Sequence, residues 1–246
     1  MILSEKVVLV TGGGTGVGRA TAFELTAKGA KVVINYNRSE KEAFEVVDEI
    51  KQRGGTAIAL KANVANEKEV NDLFSDIITT FGKIDGLVNN ASITAQIAMN
   101  DLDAVTEEVW DSLFSVNVKG MFHCIKAVVP YMKKQQSGAI VNMGSVAGMT
   151  GIGSSIPYAA TKSAIHTMTR SLAIALAPYI RVNCISPGAV DTRWWSGNEE
   201  KMFQLAGNLP LKKISTPDEI AEAILFQLTN ESITGQVFTI DNGQTL

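Results

Sequence analysis

The chain has little of what disulfide frameworks, metal centres or membrane spans require. Two cysteines among 246 residues, Cys124 and Cys184, sit in apolar contexts with neither CxxC nor metal-ligand spacing. That excludes a disulfide scaffold and makes both buried hydrophobes suited to a reducing cytoplasm. Only two histidines are present, His123 and His166, both inside helical stretches. They are expected on a helix surface or at an interface, and no metal is expected. No apolar run reaches the length of a membrane span, and the first, Val7 to Val10, is too short for a signal segment. Repeats, low-complexity tracts and Pro-rich linkers are missing, so nothing marks a domain boundary. A net charge of -3 without a long run of one sign supplies no basic field for nucleic acid or anionic lipid. What is there is a chain 46% apolar and 19% charged, long enough to bury one large core and suited to small-molecule work in the cytoplasm.

Short apolar runs rich in β-branched residues alternate with longer amphipathic stretches, beginning KVVLV, GRATAFELTAKG, KVVIN. That is the βαβ pattern. It continues through TAIAL, GLVNN, GAIVNMGS, IRVNCISPG and GQVFTI. Strands that are apolar throughout are covered on both faces, so the reading is α/β: a doubly wound, Rossmann-like parallel sheet of about seven strands in a single domain, residues 1–246. In such sheets ligands bind beyond the carboxyl ends of the strands, near the switch in strand order.

Directly after the first strand stands TGGGTGVGRA, Thr11 to Ala20, leading into a helix. Glycines there allow a tight turn and close approach of backbone to a pyrophosphate, which the free N–H groups of a helix N-terminus favour. Gly12 suits the turn, Gly16 the phosphate approach and Gly18 the packing of helix on strand. A flexible connecting loop is the plainer alternative, and the flanking strand and helix weigh against it. Further on, YAATK places Tyr158 and Lys162 four residues apart, on one helix face. A phenol titrates near pH 10, and a neighbouring ammonium is expected to lower that value and make Tyr158 an acid or base.

The TGxxxGxG spacing resembles the classical short-chain dehydrogenase/reductase family, and the rest of the chain carries its motifs in order. NNAS, Asn89 to Ser92, is similar to the family's NNAG, with Ser92 where glycine is usual; VNVKG supplies Asn117, Ser145 ends the fifth strand, YAATK follows, and PGAVDT supplies Pro187, Gly188 and Thr192. The resemblance implies oxidoreduction of ketones and secondary alcohols. Tyr158 would exchange the proton, Ser145 would hold the substrate oxygen, Asn117 would hold a relay water, and Lys162 would hold the nicotinamide ribose. It also implies a nicotinamide cofactor held by Gly12, Gly14, Thr15, Gly16, Val17 and Gly18, by Asn63 and Val64, by Asn89 and Ala91, and by Pro187, Gly188, Val190 and Thr192.

The second strand ends VVINYNRSE, with Asn35, Tyr36 and Asn37 where an NAD enzyme usually places an acid. Arg38 follows, and a guanidinium matches a 2′-phosphate, so NADP(H) is expected in preference to NAD(H). Residues from about 190 to 211 are expected to form a substrate lid, with Trp194 and Trp195 as aromatic walls of the substrate pocket beside Ser145 and Tyr158; core or interface anchoring is the other reading of the two tryptophans. A nucleotide-sensing protein on the same fold is the rival class, and the intact Ser145, Tyr158 and Lys162 favour the enzyme. The nearest resemblance is to β-ketoacyl-acyl-carrier-protein reductases, but Ile174 and Pro130 replace basic positions common there, leaving Arg170, Lys133 and Lys134. Free, fairly hydrophobic ketones or their alcohols are therefore the expected substrates. Apolar residues around much of the circumference of Trp110 to Met132 and Ile165 to Ala177 imply burial against other subunits, and the family resemblance implies a homotetramer.

Overall fold

The computed structural model describes residues 1–197 and 199–246, the side chains of Glu199 and Lys201 apart. Strands β1 (Val7–Thr11), β2 (Lys31–Tyr36), β3 (Thr56–Lys61), β4 (Gly86–Asn89), β5 (Gly138–Met143), β6 (Ile180–Pro187) and β7 (Val237–Ile240) form one sheet in the order β3-β2-β1-β4-β5-β6-β7. Every pairing is parallel. Each apolar run read as a strand in the sequence is one, and the reason is visible along β1. Val8 and Val10 enter one core with Leu25, Ile50 and Ile224, while Val7 and Leu9 enter the opposite core with Phe74, Ile125 and Val182. Alternate side chains of a strand leave opposite faces, so a sheet covered on both needs apolar residues at every position.

The first layer is made by helices α1 (Gly16–Ala27), α2 (Glu40–Gln52) and α9 (Pro217–Thr229). The second is made by α3 (Glu67–Phe81), α5 (Met121–Gln135) and α7 (Ile156–Leu176). Helix α4 (Glu107–Phe114) runs through a π-helical stretch, Ser115–Gly120, into α5; α6 (Ala147–Thr150) is one turn, and α8 (Glu199–Asn208) follows a 3₁₀ turn, Arg193–Trp195. Asn198, within the expected lid, lies outside the described residues. Among the described residues, no helix is long and apolar enough to cross a membrane.

The strand order reverses at β1, which lies between β2 and β4. Thr11 and Asn90 close that point. Thr11 Oγ1 donates to Val88 O and accepts from the N–H groups of Asn90 and Ala91, each at 3.0 Å, while Asn90 Nδ2 donates to Thr11 O at 2.9 Å and Gly12 O at 3.1 Å. The carboxyl ends of two divergent strands are thus held at one fixed opening, the place where open parallel sheets take ligands.

Candidate active site

Two adjoining cavities lie along the carboxyl edge of the sheet, one of about 810 Å³ beside β1, β2 and β4, the other of about 340 Å³ beside β5, β6 and α7. Val17, Asn90, Ser92, Gln96, Thr192 and Trp194 line both. The larger takes in Gly12, Thr15, Gly16, Arg38, Asn63, Val64 and Ala91; the smaller takes in Ser145, Tyr158, Lys162, Pro187, Gly188, Val190 and Trp195. Residues more than 100 apart in sequence are therefore neighbours.

Helix α7 delivers the phenol and the ammonium. Ser155, fully buried, caps it by accepting from the Tyr158 N–H at 3.3 Å, and Pro157 stands in the first turn, where its missing N–H costs nothing. Lys162 is 2% exposed, and its Nζ donates to Met143 O at 2.9 Å, at the end of β5. It lies 5.5 Å from the centre of the Tyr158 ring. Gly148 of α6 leaves no room for a side chain against Lys162, since a Cβ there would sit 2.6 Å from the lysine carbonyl carbon. Ser145 follows β5 and accepts from the Ala147 N–H at 3.2 Å.

The electrostatics differ from the expectation that Lys162 lowers the tyrosine. Burial pushes the Tyr158 phenol up to about 12, opposed by its hydrogen bond with Ser145. Burial likewise brings Lys162 down to about 8. Loss of water penalises both charged forms, and here it outweighs the Ser145 hydrogen bond that favours the phenolate and the Cys184 thiol that favours the ammonium.

Several expected positions take other parts. Asn117 lies beside the cavities rather than in them, 2% exposed, with all four hydrogen-bonding positions of its carboxamide taken. Nδ2 donates to Ile93 O and Thr161 Oγ1, and Oδ1 accepts from the Ile93 N–H and from Ser92 Oγ at 3.1 Å. A side chain so filled has no position left for a relay water. Ser92, where the family has glycine, thus fastens Asn117 to the β4 loop. Among the described residues, Gly14, Gly18 and Asn89 also line neither cavity. Gly14 faces helix α2, where a Cβ would lie 3.0 Å from the Ala43 nitrogen; Gly18 faces Gly12 O and Asn90 Nδ2; Asn89 donates to Asn142 Oδ1 inside the sheet. Asn35 braces β2 against β3 by donating to Ala62 O at 2.9 Å. His166 is no surface residue: 4% exposed, it stands behind Lys162 with Nε2 3.0 Å from Ser186 Oγ, and burial lowers its pKa to about 4. His123 Nδ1 donates to Val64 O. Asn90, Gln96, Ser39 and Arg193 line the cavities without having been singled out. For Asn90 the doubled amide of NNAS was the available signal.

Comparison with known proteins agrees with this geometry. Residues 6–202 match the family model described as short chain dehydrogenase. A 3-oxoacyl-acyl-carrier-protein reductase of a Synechocystis species is 40% identical over 249 residues, 99% of this chain and 98% of its own. A short-chain dehydrogenase/reductase homologue of Bacillus subtilis is 60% identical over 129 residues, 52% of this chain and all of that one. The crystal structure of a Burkholderia xenovorans chain assigned to the short-chain dehydrogenases/reductases superposes with a TM-score of 0.92 at 33% identity, covering 98% of both chains. The residues present fit a nicotinamide dinucleotide. Gly12 and Gly16 have φ of +62° and +52°, and a Cβ on Gly18 would drive into Gly12 O at 2.4 Å, so the turn beside the larger cavity exists only with glycine. The cleft runs unbroken from Arg38 to Tyr158 through residues common to both cavities. With sheet order, phosphate turn and the Ser145, Tyr158 and Lys162 cluster all in place, the chain belongs to the short-chain dehydrogenases/reductases and is an oxidoreductase of that family.

Proposed function

We propose that this protein is an NADP(H)-dependent reductase of free, fairly hydrophobic ketones, working in the cytoplasm and oxidising the matching secondary alcohols in reverse. One observation carries the reading: the Tyr158 ring packs 5.6 Å from that of Trp194, in a cavity whose other walls include Ile152, Trp195 and Leu205. The proton-bearing group thus meets an apolar, aromatic-walled space that suits an uncharged substrate. Ser145 holds the carbonyl oxygen. Tyr158 gives its proton to that oxygen as negative charge develops, and the Lys162 ammonium stabilises the charge left on the phenol. A bound nicotinamide supplies the hydride that reduces the carbonyl carbon. Lys162 would hold its ribose, Val190 and Thr192 its carboxamide, and Arg38 the 2′-phosphate.

A second reading, reduction of a 3-oxoacyl group on a carrier protein, is favoured by the Synechocystis relative, which bears that name and matches almost the whole chain. Docking an acidic carrier needs basic residues beside the pocket. Ile174 is 83% exposed where an arginine would serve, and Pro130 occupies another such position within α5, while Arg170, Lys133 and Lys134 remain on the surface. The test sets acetoacetyl carrier protein against small aryl and alkyl ketones at equal concentration. Higher kcat/KM for the ketones is expected. A preference for the carrier-bound substrate that collapses with added salt establishes the second reading instead. Tyr158→Phe is expected to lower turnover by about 10²- to 10⁴-fold while NADPH still binds; retention of more than about a tenth removes Tyr158 from the proton step.

A further inference from the structure

The segment that brings Thr192 and Trp194 to both cavities carries Arg193 between them, and Arg193 lines only the larger one. Its guanidinium reaches the lip formed by the end of β2. Nη2 donates to Ser39 Oγ at 3.3 Å, and Nη1 lies 3.8 Å from Glu42 Oε1. Ser39 follows Arg38 directly, and its hydroxyl does not cap helix α2, leaving it turned to the same space. Arg193 and Ser39 therefore meet across 154 residues of sequence, and Arg38 lines the same cavity. The anions facing them are few. Glu40 is held by the Tyr36 hydroxyl at 2.8 Å, and Glu42 pairs with Arg193 through side chains 44% and 60% exposed, a weak contact in water. A phosphomonoester carries more charge than one carboxylate and matches the guanidinium fork, so it displaces Glu42.

We propose that Arg193 is a second reader of the cofactor's 2′-phosphate, taken over from Glu42 on binding, and that this contact draws the Thr192–Trp195 segment over the cleft. Selection of NADP(H) and ordering of the substrate wall are then one event. The inference rests on the NADP(H) reading above.

Calorimetric binding of NADPH and NADH to wild type, Arg193→Gln, Arg38→Gln and Glu42→Gln tests it, with adenosine 2′,5′-bisphosphate and adenosine 5′-monophosphate as probes that lack nicotinamide. Arg193→Gln is expected to weaken NADPH and the bisphosphate about tenfold, as loss of one charged phosphate contact does, and NADH and the monophosphate less than about twofold. Glu42→Gln is expected to tighten NADPH in the wild-type background and not beside Arg193→Gln. Tryptophan emission should shift with the bisphosphate alone, and lose that shift in Arg193→Gln. Equal weakening of NADPH and NADH would place Arg193 on the shared diphosphate and overturn the inference. So would an unchanged Arg193→Gln alongside an Arg38→Gln that loses NADPH preference, with the cofactor reading left standing. A wild type that binds both cofactors alike, unaltered by either arginine variant, overturns both.

Discussion

In the proposed mechanism, chemistry at Tyr158 depends on how far burial has moved two titrations apart, the phenol upward and the ammonium downward. Lys162 loses its proton near pH 8 in the folded protein, well below its ordinary 10.5, because the charged form has been taken out of water. In the proposed mechanism its ammonium supports negative charge on the neighbouring phenol, so kcat/KM for ketone reduction is expected to be level below about pH 7 and to fall above about pH 8, by up to tenfold per unit. Lys162→Arg, which stays charged, should keep whatever activity it retains through that range. A profile level to pH 10 in the wild type would remove the ammonium from the mechanism. The same shift has a sign for stability. Between pH 8 and 10 the unfolded lysine holds a proton that the folded one has released, so this group's contribution rises with pH and is lost again as pH falls through 8. Denaturant titrations should show wild type gaining on Lys162→Met across that window. Above pH 10 the raised phenol of Tyr158 acts in the opposite direction.

Among the elements, the turn from β1 into α1 is held to glycine by crowding as much as by dihedral angle. A Cβ on Gly18 would meet Gly12 O at 2.4 Å and Asn90 Nδ2 at 2.6 Å, and neither can withdraw without opening the junction of β1 and β4. Gly18→Ala is expected to cost about 1–3 kcal/mol, as overpacking does, and to weaken NADPH binding with it. Gly207→Ala, in α8 with nothing within 4 Å of its Cβ, is the control and should be neutral or stabilising by up to about 1 kcal/mol. Paired thermal melts and cofactor titrations compare the two; equal melting temperatures would mean that the turn yields.

Across the whole molecule, α4, α5 and α7 each leave a large apolar side chain on the surface. Trp110 of α4 is 36% exposed, Phe122 of α5 42%, and Ile174 of α7 83%. At the far end of the sheet Phe226 and Phe238 pack at 6.0 Å, with Phe226 47% exposed. We expect these two faces to be the interfaces of a homotetramer. Light scattering of the wild type should give four chains at micromolar concentration, and Phe122→Glu should leave dimers; a stable monomeric wild type would contradict the assignment.

What the sequence by itself determined is whatever depends on neighbours along the chain. Seven strands were legible because burial on both faces demands unbroken apolar runs. The glycine turn was legible because strand, turn and helix are contiguous, and the shared face of Tyr158 and Lys162 because positions four apart adjoin on any helix. Tertiary structure alone decided the rest. Adjacent residues of a strand end face different ways, so Asn89 reaches Asn142 while Asn90 closes on Thr11 and lines the cleft. Ser92 fills the acceptor of Asn117 across 25 positions, and Arg193 meets Ser39 across 154. Nor could spacing show that loss of water, rather than the nearby ammonium, dominates the phenol. Desolvation depends on how much protein surrounds a group, and that is settled only when distant segments pack together.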